Sequence, residues 1–358
     1  MQSETDLGQI VGDRYLLLDS IGQGGMADVH LARDQRDGQL VAVKWLARSK
    51  RTVIALRERM KLEAELLAQV KHPNVVQLFD FGITRDGVPY LVLEALTGET
   101  LHEYLARRGA MPAEQALPLA LELAHALEAV HQAGLVHGDV KPHNVFLCGE
   151  LDNPAHVKLI DFGFAQISNQ ESQTGEATVA GTLEYMAPEQ LLSDPIDPRA
   201  DIYSLGVVLF RWLTGELPFD TGAMLRLFAH HLESKAPPPS WLLEEMHPGL
   251  DKLILACLRK NPDNRYTCMG TLIADLLCVM LDLGKVSGAA ITCEPDEYWP
   301  RSEQGKRALG ILSSLGASTR ATPLPDEKSI PMSSGVRTSE SGVPAAAEVV
   351  EIVEKAAG

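Results

Sequence analysis

The chain has 358 residues, 45% of them hydrophobic, which is enough for a buried core in one large or two ordinary domains. Its 48 acidic and 32 basic residues give a net charge of −16, which argues against nonspecific nucleic-acid binding and against docking on an anionic membrane. Five cysteines, Cys148, Cys257, Cys268, Cys278 and Cys293, have no paired spacing, so neither a zinc site nor a disulfide framework is expected.

The opening MQSETDLGQI is acidic and lacks an apolar centre, so it does not read as a signal peptide. Residues 1–14 read as a short N-terminal extension. From Tyr15 to Leu283, periodic segments and turns alternate without a low-complexity break. The run LVAVKW within Gln39–Trp45 predicts a strand, and Val53–Val70 has helical spacing with Leu56, Met60, Leu67 and Val70 on one face. VPYLVL over Val88–Leu93 predicts another strand. Ala113–Ala133 predicts a long helix, and nearly everything after Asp201 reads helical. Strands first and helices after predict an α+β protein of two lobes, the first over about 15–94 and the second over about 97–283. Residues 284–358 are rich in Ser, Thr, Pro and Ala; such a composition buries too little apolar surface to offset ordering entropy, so a largely disordered tail is expected. No stretch is long and apolar enough to predict a transmembrane helix, and a cytoplasmic location is the expectation.

Three stretches carry chemistry. The first is Ile21-Gly22-Gln23-Gly24-Gly25-Met26-Ala27-Asp28-Val29. Glycines in a hairpin let backbone amides approach phosphate oxygens closely. Ala27 stands where a third glycine would complete the usual phosphate-loop pattern, which predicts a stiffer clamp. The second is Val41-Ala42-Val43-Lys44. A lysine on a strand built for burial needs a partner, and downstream of a glycine loop it can pair α- and β-phosphates. Its own carboxylate should lie on the following helix. Glu63, nine residues before the turn His72-Pro73-Asn74, is the candidate, with Glu58 and Glu65 as alternatives.

The third stretch is His137-Gly138-Asp139-Val140-Lys141-Pro142-His143-Asn144. Asp139 can orient an acceptor hydroxyl and take its proton. Lys141 can neutralise charge on a transferring phosphoryl group, and Asn144 offers a neutral oxygen to a divalent cation. Asp161, in Leu159-Ile160-Asp161-Phe162-Gly163, supplies a second oxygen seventeen residues later. Two protein oxygens leave room for phosphates and water around Mg²⁺. Alone, HGDVKPHN suits a protein kinase or a small-molecule phosphotransferase.

The ordered set GQGGMADV, VAVK, HPNVV, HGDVKPHN, DFG, GTLEYMAPEQ, DIYSLG and NPDNR resembles the eukaryotic-like (Hanks-type) protein kinases, over about Tyr15–Leu283. GGMADVH looks like the bacterial serine/threonine branch. The resemblance implies a two-lobed fold that binds ATP with Mg²⁺ or Mn²⁺ in the cleft and phosphorylates protein Ser/Thr hydroxyls. It implies nucleotide contacts from Ile21, Gly22, Gly24, Val29, Ala42, Lys44, Glu63, Leu93, Phe146 and the backbone of Glu94 and Leu96. Asp139, Lys141 and Lys44 would be catalytic, with Asn144 and Asp161 holding the metal. Lys141 together with GTLEYMAPE sets the chain apart from the small-molecule enzymes, and Lys141 with Thr182 looks like serine/threonine specificity. Glu189 would pair with Arg265, and Asp201 would hold the catalytic-loop backbone. Leu67, Leu78, His137 and Phe162 match a stacked spine between the lobes.

One departure carries a prediction. Most family members have Arg where this chain has Gly138, and that cation needs a phosphate on the activation segment to order the loop. Gly138 therefore predicts a "non-RD" kinase, not strictly dependent on phosphorylation at Ser168, Ser172, Thr174 or Thr178. Ala27 and Gly138 also leave an alternative, a catalytically weak pseudokinase acting as a scaffold.

Overall fold

The computed structural model describes residues 6–23, 27–150, 153–162, 166–167, 183–219, 224–243 and 245–284. The tail beyond Gly284, Gly24, Thr182 and the candidate phosphosites Ser168, Ser172, Thr174 and Thr178 lie outside the described residues.

The first lobe is built from β1 (Ile10–Val11), β2 (Tyr15–Gln23), β3 (Ala27–Asp34), β4 (Leu40–Leu46), the helix α1 (Ile54–Leu67), β5 (Leu78–Ile83) and β6 (Pro89–Glu94). The strands form one antiparallel sheet in the order β1-β2-β3-β4-β6-β5. Alternation along β4 sets up the chemistry. Val41, Val43 and Trp45 bury against Tyr15, Leu17, Tyr90 and Val92 on one face. Ala42, Lys44 and Leu46 therefore point to the other. There Leu46 and Leu91 pack with Met60 and Ala64 of α1. A one-residue slip would turn Lys44 away from the helix.

The sheet begins ahead of the expected boundary at Tyr15. Ile10 and Val11 pair with Leu16 and Tyr15, and Asp6 is buried. A two-residue strand is too short for its periodicity to register in sequence.

The second lobe continues with β7 (Gly98–Thr100), α2 (Leu101–Arg108), α3 (Ala113–Gln132), β8 (Leu135–Val136), β9 (Val145–Glu150), β10 (Asn153–Leu159), β11 (Gln166–Ile167), α4 (Pro188–Leu191), α5 (Pro198–Thr214), α6 (Met224–Leu232), α7 (Pro248–Cys257) and α8 (Met269–Asp282). Residues 233–243 and 245–247 are not α-helical, against the expectation of near-continuous helix; within them Pro237-Pro238-Pro239 lack amide donors. α5 is apolar on nearly all sides and buried along almost its whole length, which makes it the axis of the lobe. Its N-terminus is capped by the Asp197 carboxylate, and it ends at Gly215 in the left-handed region, φ 80°. Gly206 lets α5 approach α7 closely: a β-carbon there would lie 2.5 Å from Cys257 Cβ. None of the described helices is long and apolar enough to cross a membrane.

Candidate active site

The sheet, α1 and the segment after β10 bring three charges together. Lys44 Nζ lies 2.6 Å from Glu63 Oε1 and 3.1 Å from Asp161 Oδ1. Burial opposes the Lys44 ammonium, but the Asp161 and Glu63 carboxylates outweigh it and hold its pKa above the ordinary lysine value. The helix face selects among the three candidate glutamates. Glu63 is buried, Glu65 is exposed, and Glu58 is exposed and pairs with Lys61 at 2.6 Å.

The loop between β8 and β9 gathers the second group. Asp139 Oδ2 lies 2.8 Å from Lys141 Nζ and accepts from Asn144 Nδ2 at 3.0 Å. Asn144 Nδ2 also donates to the Asp139 carbonyl at 2.8 Å, which fixes its amide so that Oδ1 stays available. Burial raises the Asp139 carboxyl above the ordinary carboxylate range, and Lys141 pulls it back. Asp139 Oδ1 is buried and has no hydrogen-bond partner among the described residues. An orphaned, buried carboxylate oxygen costs stability, so an external donor such as a hydroxyl suits it. Asp161 has φ 63°, a conformation that non-glycine residues rarely adopt. It is held beside Asn144, whose carbonyl accepts from Ile160 N at 2.9 Å.

The loop is anchored from below by α5. Asp201 is buried; its Oδ2 accepts from His137 N and its Oδ1 from Gly138 N, both at 2.8 Å. Burial opposes this charge, but His131, with Nε2 at 2.8 Å, and the loop amides keep the Asp201 pKa below the ordinary value. Gly138 has φ 73°, and its carbonyl accepts from Gln190 Nε2 at 2.8 Å. Arg265 makes a bidentate pair with Glu189 at 2.6 and 2.8 Å. His137 meets Phe162 edge-on at 5.1 Å, and Phe162 belongs to the core cluster that also holds Leu67 and receives Leu78.

A cleft wall lies between the two charge groups. Ala42 pairs with Leu93 across β4 and β6, and Val29 pairs with Lys44 across β3 and β4. Ala42 is buried, whereas Val29, Gly22, Leu93, Leu96 and Phe146 are half-buried and Ile21 is half exposed. Phe146 reaches this level because β9 pairs it with Thr100 of β7. The Glu94 amide donates to Gln77 O at 3.0 Å, and its carboxylate is bound by Lys158 at 2.6 Å.

Two anchors had no readable signal in the sequence. His131 is one of two histidines on a twenty-residue helix, and Gln190 one of two polar residues on a four-residue helix. Only the tertiary structure shows that Gln190 bonds the Gly138 carbonyl and that His131 supports the loop through Asp201.

The sequence profile of the protein kinase domain family matches residues 15–277. The chain is 38% identical over 273 residues to the serine/threonine-protein kinase PknB of Mycobacterium leprae, covering 75% of this chain and 43% of that protein. It is 36% identical over 270 residues to a probable serine/threonine-protein kinase of Clostridium perfringens, covering 75% and 39%. It is 39% identical over 266 residues to the serine/threonine-protein kinase PksC of Streptomyces coelicolor, covering 72% and 47%. The matched region thus spans less than half the length of these relatives. With a family match over residues 15–277 laid over a two-lobed fold that brings Lys44, Glu63 and Asp161 together and Asp139 with Asn144, the chain belongs to the protein kinase family, in its bacterial serine/threonine branch.

Proposed function

We propose that this chain is an ATP-dependent kinase that phosphorylates serine and threonine hydroxyls of proteins, and that it is of the non-RD type. The observation that carries the reading is the convergence of Lys44–Glu63–Asp161 with Asp139–Lys141–Asn144. A pseudokinase would be expected to have lost at least one of these groups.

In this reading the adenine lies between Val29 and Ala42 on one side and Phe146 on the other, with Ile21 and Leu96 at the rim. Leu93 closes the back, and Glu94 and Leu96 offer backbone groups to the ring edge. Lys44, oriented by Glu63, meets the α- and β-phosphates near Gly22. Asn144 and Asp161 offer hard oxygen donors close to one another, which fits Mg²⁺ or Mn²⁺. The bound ion would neutralise charge on the phosphate oxygens. The acceptor hydroxyl donates to Asp139 Oδ1, and its oxygen attacks the γ-phosphorus. One P–O bond forms, the bond to the β–γ bridging oxygen breaks, and the hydroxyl proton passes to Asp139. Lys141, salt-bridged to Asp139, stabilises the negative charge spread over the moving phosphoryl group.

The test compares radiolabelled-ATP incorporation into a peptide panel by wild type and Asp139→Asn, followed by phosphoamino-acid analysis. Label on serine and threonine that disappears in the variant supports the reading. Equal background labelling would favour the scaffold. For the non-RD part, Thr174→Ala/Thr178→Ala should retain most of the peptide-kinase rate. A loss of about a hundredfold or more would sink it.

A further inference from the structure

At position six the chain carries a buried carboxylate, its side chain only 7% exposed. A charge buried this near the start of the sheet needs partners to offset its desolvation. Asp6 Oδ1 accepts from Arg48 Nε at 2.6 Å and from Gln9 Nε2 at 3.2 Å, and Oδ2 accepts from Arg51 Nη2 at 3.0 Å. The segment is pinned to β2 by backbone bonds, Gly8 N to Leu17 O and Leu17 N to Gln9 O, each 2.9 Å.

Both arginines lie in the connection between β4 and α1. Arg51 Nε donates to Leu46 O at 3.0 Å, and its guanidinium stacks 3.7 Å over Trp45, the neighbour of Lys44. Its own carbonyl accepts from Arg57 Nε, in the first turn of α1, at 2.5 Å. Asp6 thus ties the end of the lysine-bearing strand to the start of the glutamate-bearing helix.

α1 has reason to depend on such a tie. Its N-cap, Val53, offers no side-chain acceptor, and no acidic residue stands in its first turn. Its buried face is narrow, Met60, Glu63, Ala64, Leu66 and Leu67, while Ile54 is 74% exposed. In the first turn only the partly buried Leu56 packs against the core, so polar contacts there help set its position.

We propose that Asp6 is a positioning residue: with Arg48 and Arg51 it forms a clasp that fixes the first turn of α1 and so keeps Glu63 on Lys44. The catalytic consequence rests on the kinase reading above, but the structural one does not. The experiment uses the full chain as wild type, Asp6→Asn, Asp6→Glu, Arg51→Gln and the double variant Asp6→Asn/Arg51→Gln. Amide hydrogen exchange across Ile54–Leu67 should run about tenfold faster in Asp6→Asn, with α5 amides unchanged as an internal reference. The peptide-phosphorylation rate at saturating ATP should fall about fivefold, Asp6→Glu should restore both readouts, and the double variant should be no worse than the worse single one. Unchanged exchange in α1 overturns the proposal. So does faster exchange spread equally over α5, or a failure of Asp6→Glu to restore either readout. If the wild type phosphorylates nothing, the kinase reading fails, and the exchange pattern alone decides the clasp.

Discussion

The Glu189–Arg265 pair offers the most quantitative test of the fold. The Arg265 side chain is 0% exposed and the Glu189 side chain 9%. Besides the bidentate pair, Arg265 donates to the carbonyls of Arg259 at 2.7 Å, Lys260 at 2.8 Å and Arg199 at 2.9 Å. Arg265→Met keeps the apolar stem but strands one carboxylate and three carbonyls. Breaking a buried pair by removing one partner costs about 3–5 kcal/mol. The unfolding entropy, about 2.1 cal/mol/K per residue, amounts to roughly 0.55 kcal/mol/K over residues 15–277. The expected fall in Tm is therefore about 5–9 °C, measured by circular dichroism at neutral pH. Glu189→Leu in the Arg265→Met background removes the stranded charge, so the double variant should recover part of the loss. A fall under about 2 °C for Arg265→Met, or a double variant less stable than Arg265→Met, would refute the reasoning.

Three further outcomes are expected. Asp201→Asn places a donor where Asp201 now accepts from the His137 and Gly138 amides; the loss of a charge-assisted bond, about 2 kcal/mol, should appear as a lower kcat with little change in KM for ATP. Gly206→Ala forces α5 away from Cys257 and Leu258 of the α7 region, and should lower stability by about 1–3 kcal/mol in urea unfolding. Burial and the Arg265 charge lower the Lys260 pKa to about 7 from the ordinary 10.5. The unfolded chain then binds more protons between those values, so stability rises with pH through that window and is lowest below about 7. Lys260→Met removes this dependence, so its gain in Tm over wild type should be larger at pH about 6 than at about 9; an equal gain at both would count against it.

Much of the site was legible because its residues lie in short local patterns. Lys44 is the one charge on an otherwise apolar strand, so its need for a carboxylate on the following helix could be read from the sequence. Spacing from His72 singled out Glu63 but left Glu58 and Glu65 as alternatives. What separates them is the face of α1 that Met60 and Ala64 turn to the sheet, which buries Glu63 and leaves the other two exposed. The boundary at Tyr15 missed Asp6 for a related reason. A lone aspartate in a polar segment reads as solvated until its two arginines, more than forty residues away, come into contact. His131 and Gln190 are the same case: their significance is a tertiary contact, with Asp201 and with the Gly138 carbonyl, not a pattern in the chain.

The missing arginine can be judged by what holds the loop in its place. Gly138 has φ 73°, its amide is taken by Asp201 and its carbonyl by Gln190. Asn144 closes the loop on the other side through the Asp139 carbonyl. None of these three anchors is a cation. Glycine also adopts this backbone without strain, whereas any other L-residue pays about 1–2 kcal/mol. Gly138→Arg reverses both conditions. It adds that strain and introduces a guanidinium beside Asp139, whose charge would demand an anion on the activation segment. Wild-type activity should be unchanged by prior phosphatase treatment, whereas the residual activity of Gly138→Arg should fall on phosphatase treatment and return after incubation with ATP. Equal phosphatase sensitivity in the two proteins would remove residue 138 as the determinant, and would leave Asp201 and Gln190 as anchors of a loop whose switch lies elsewhere.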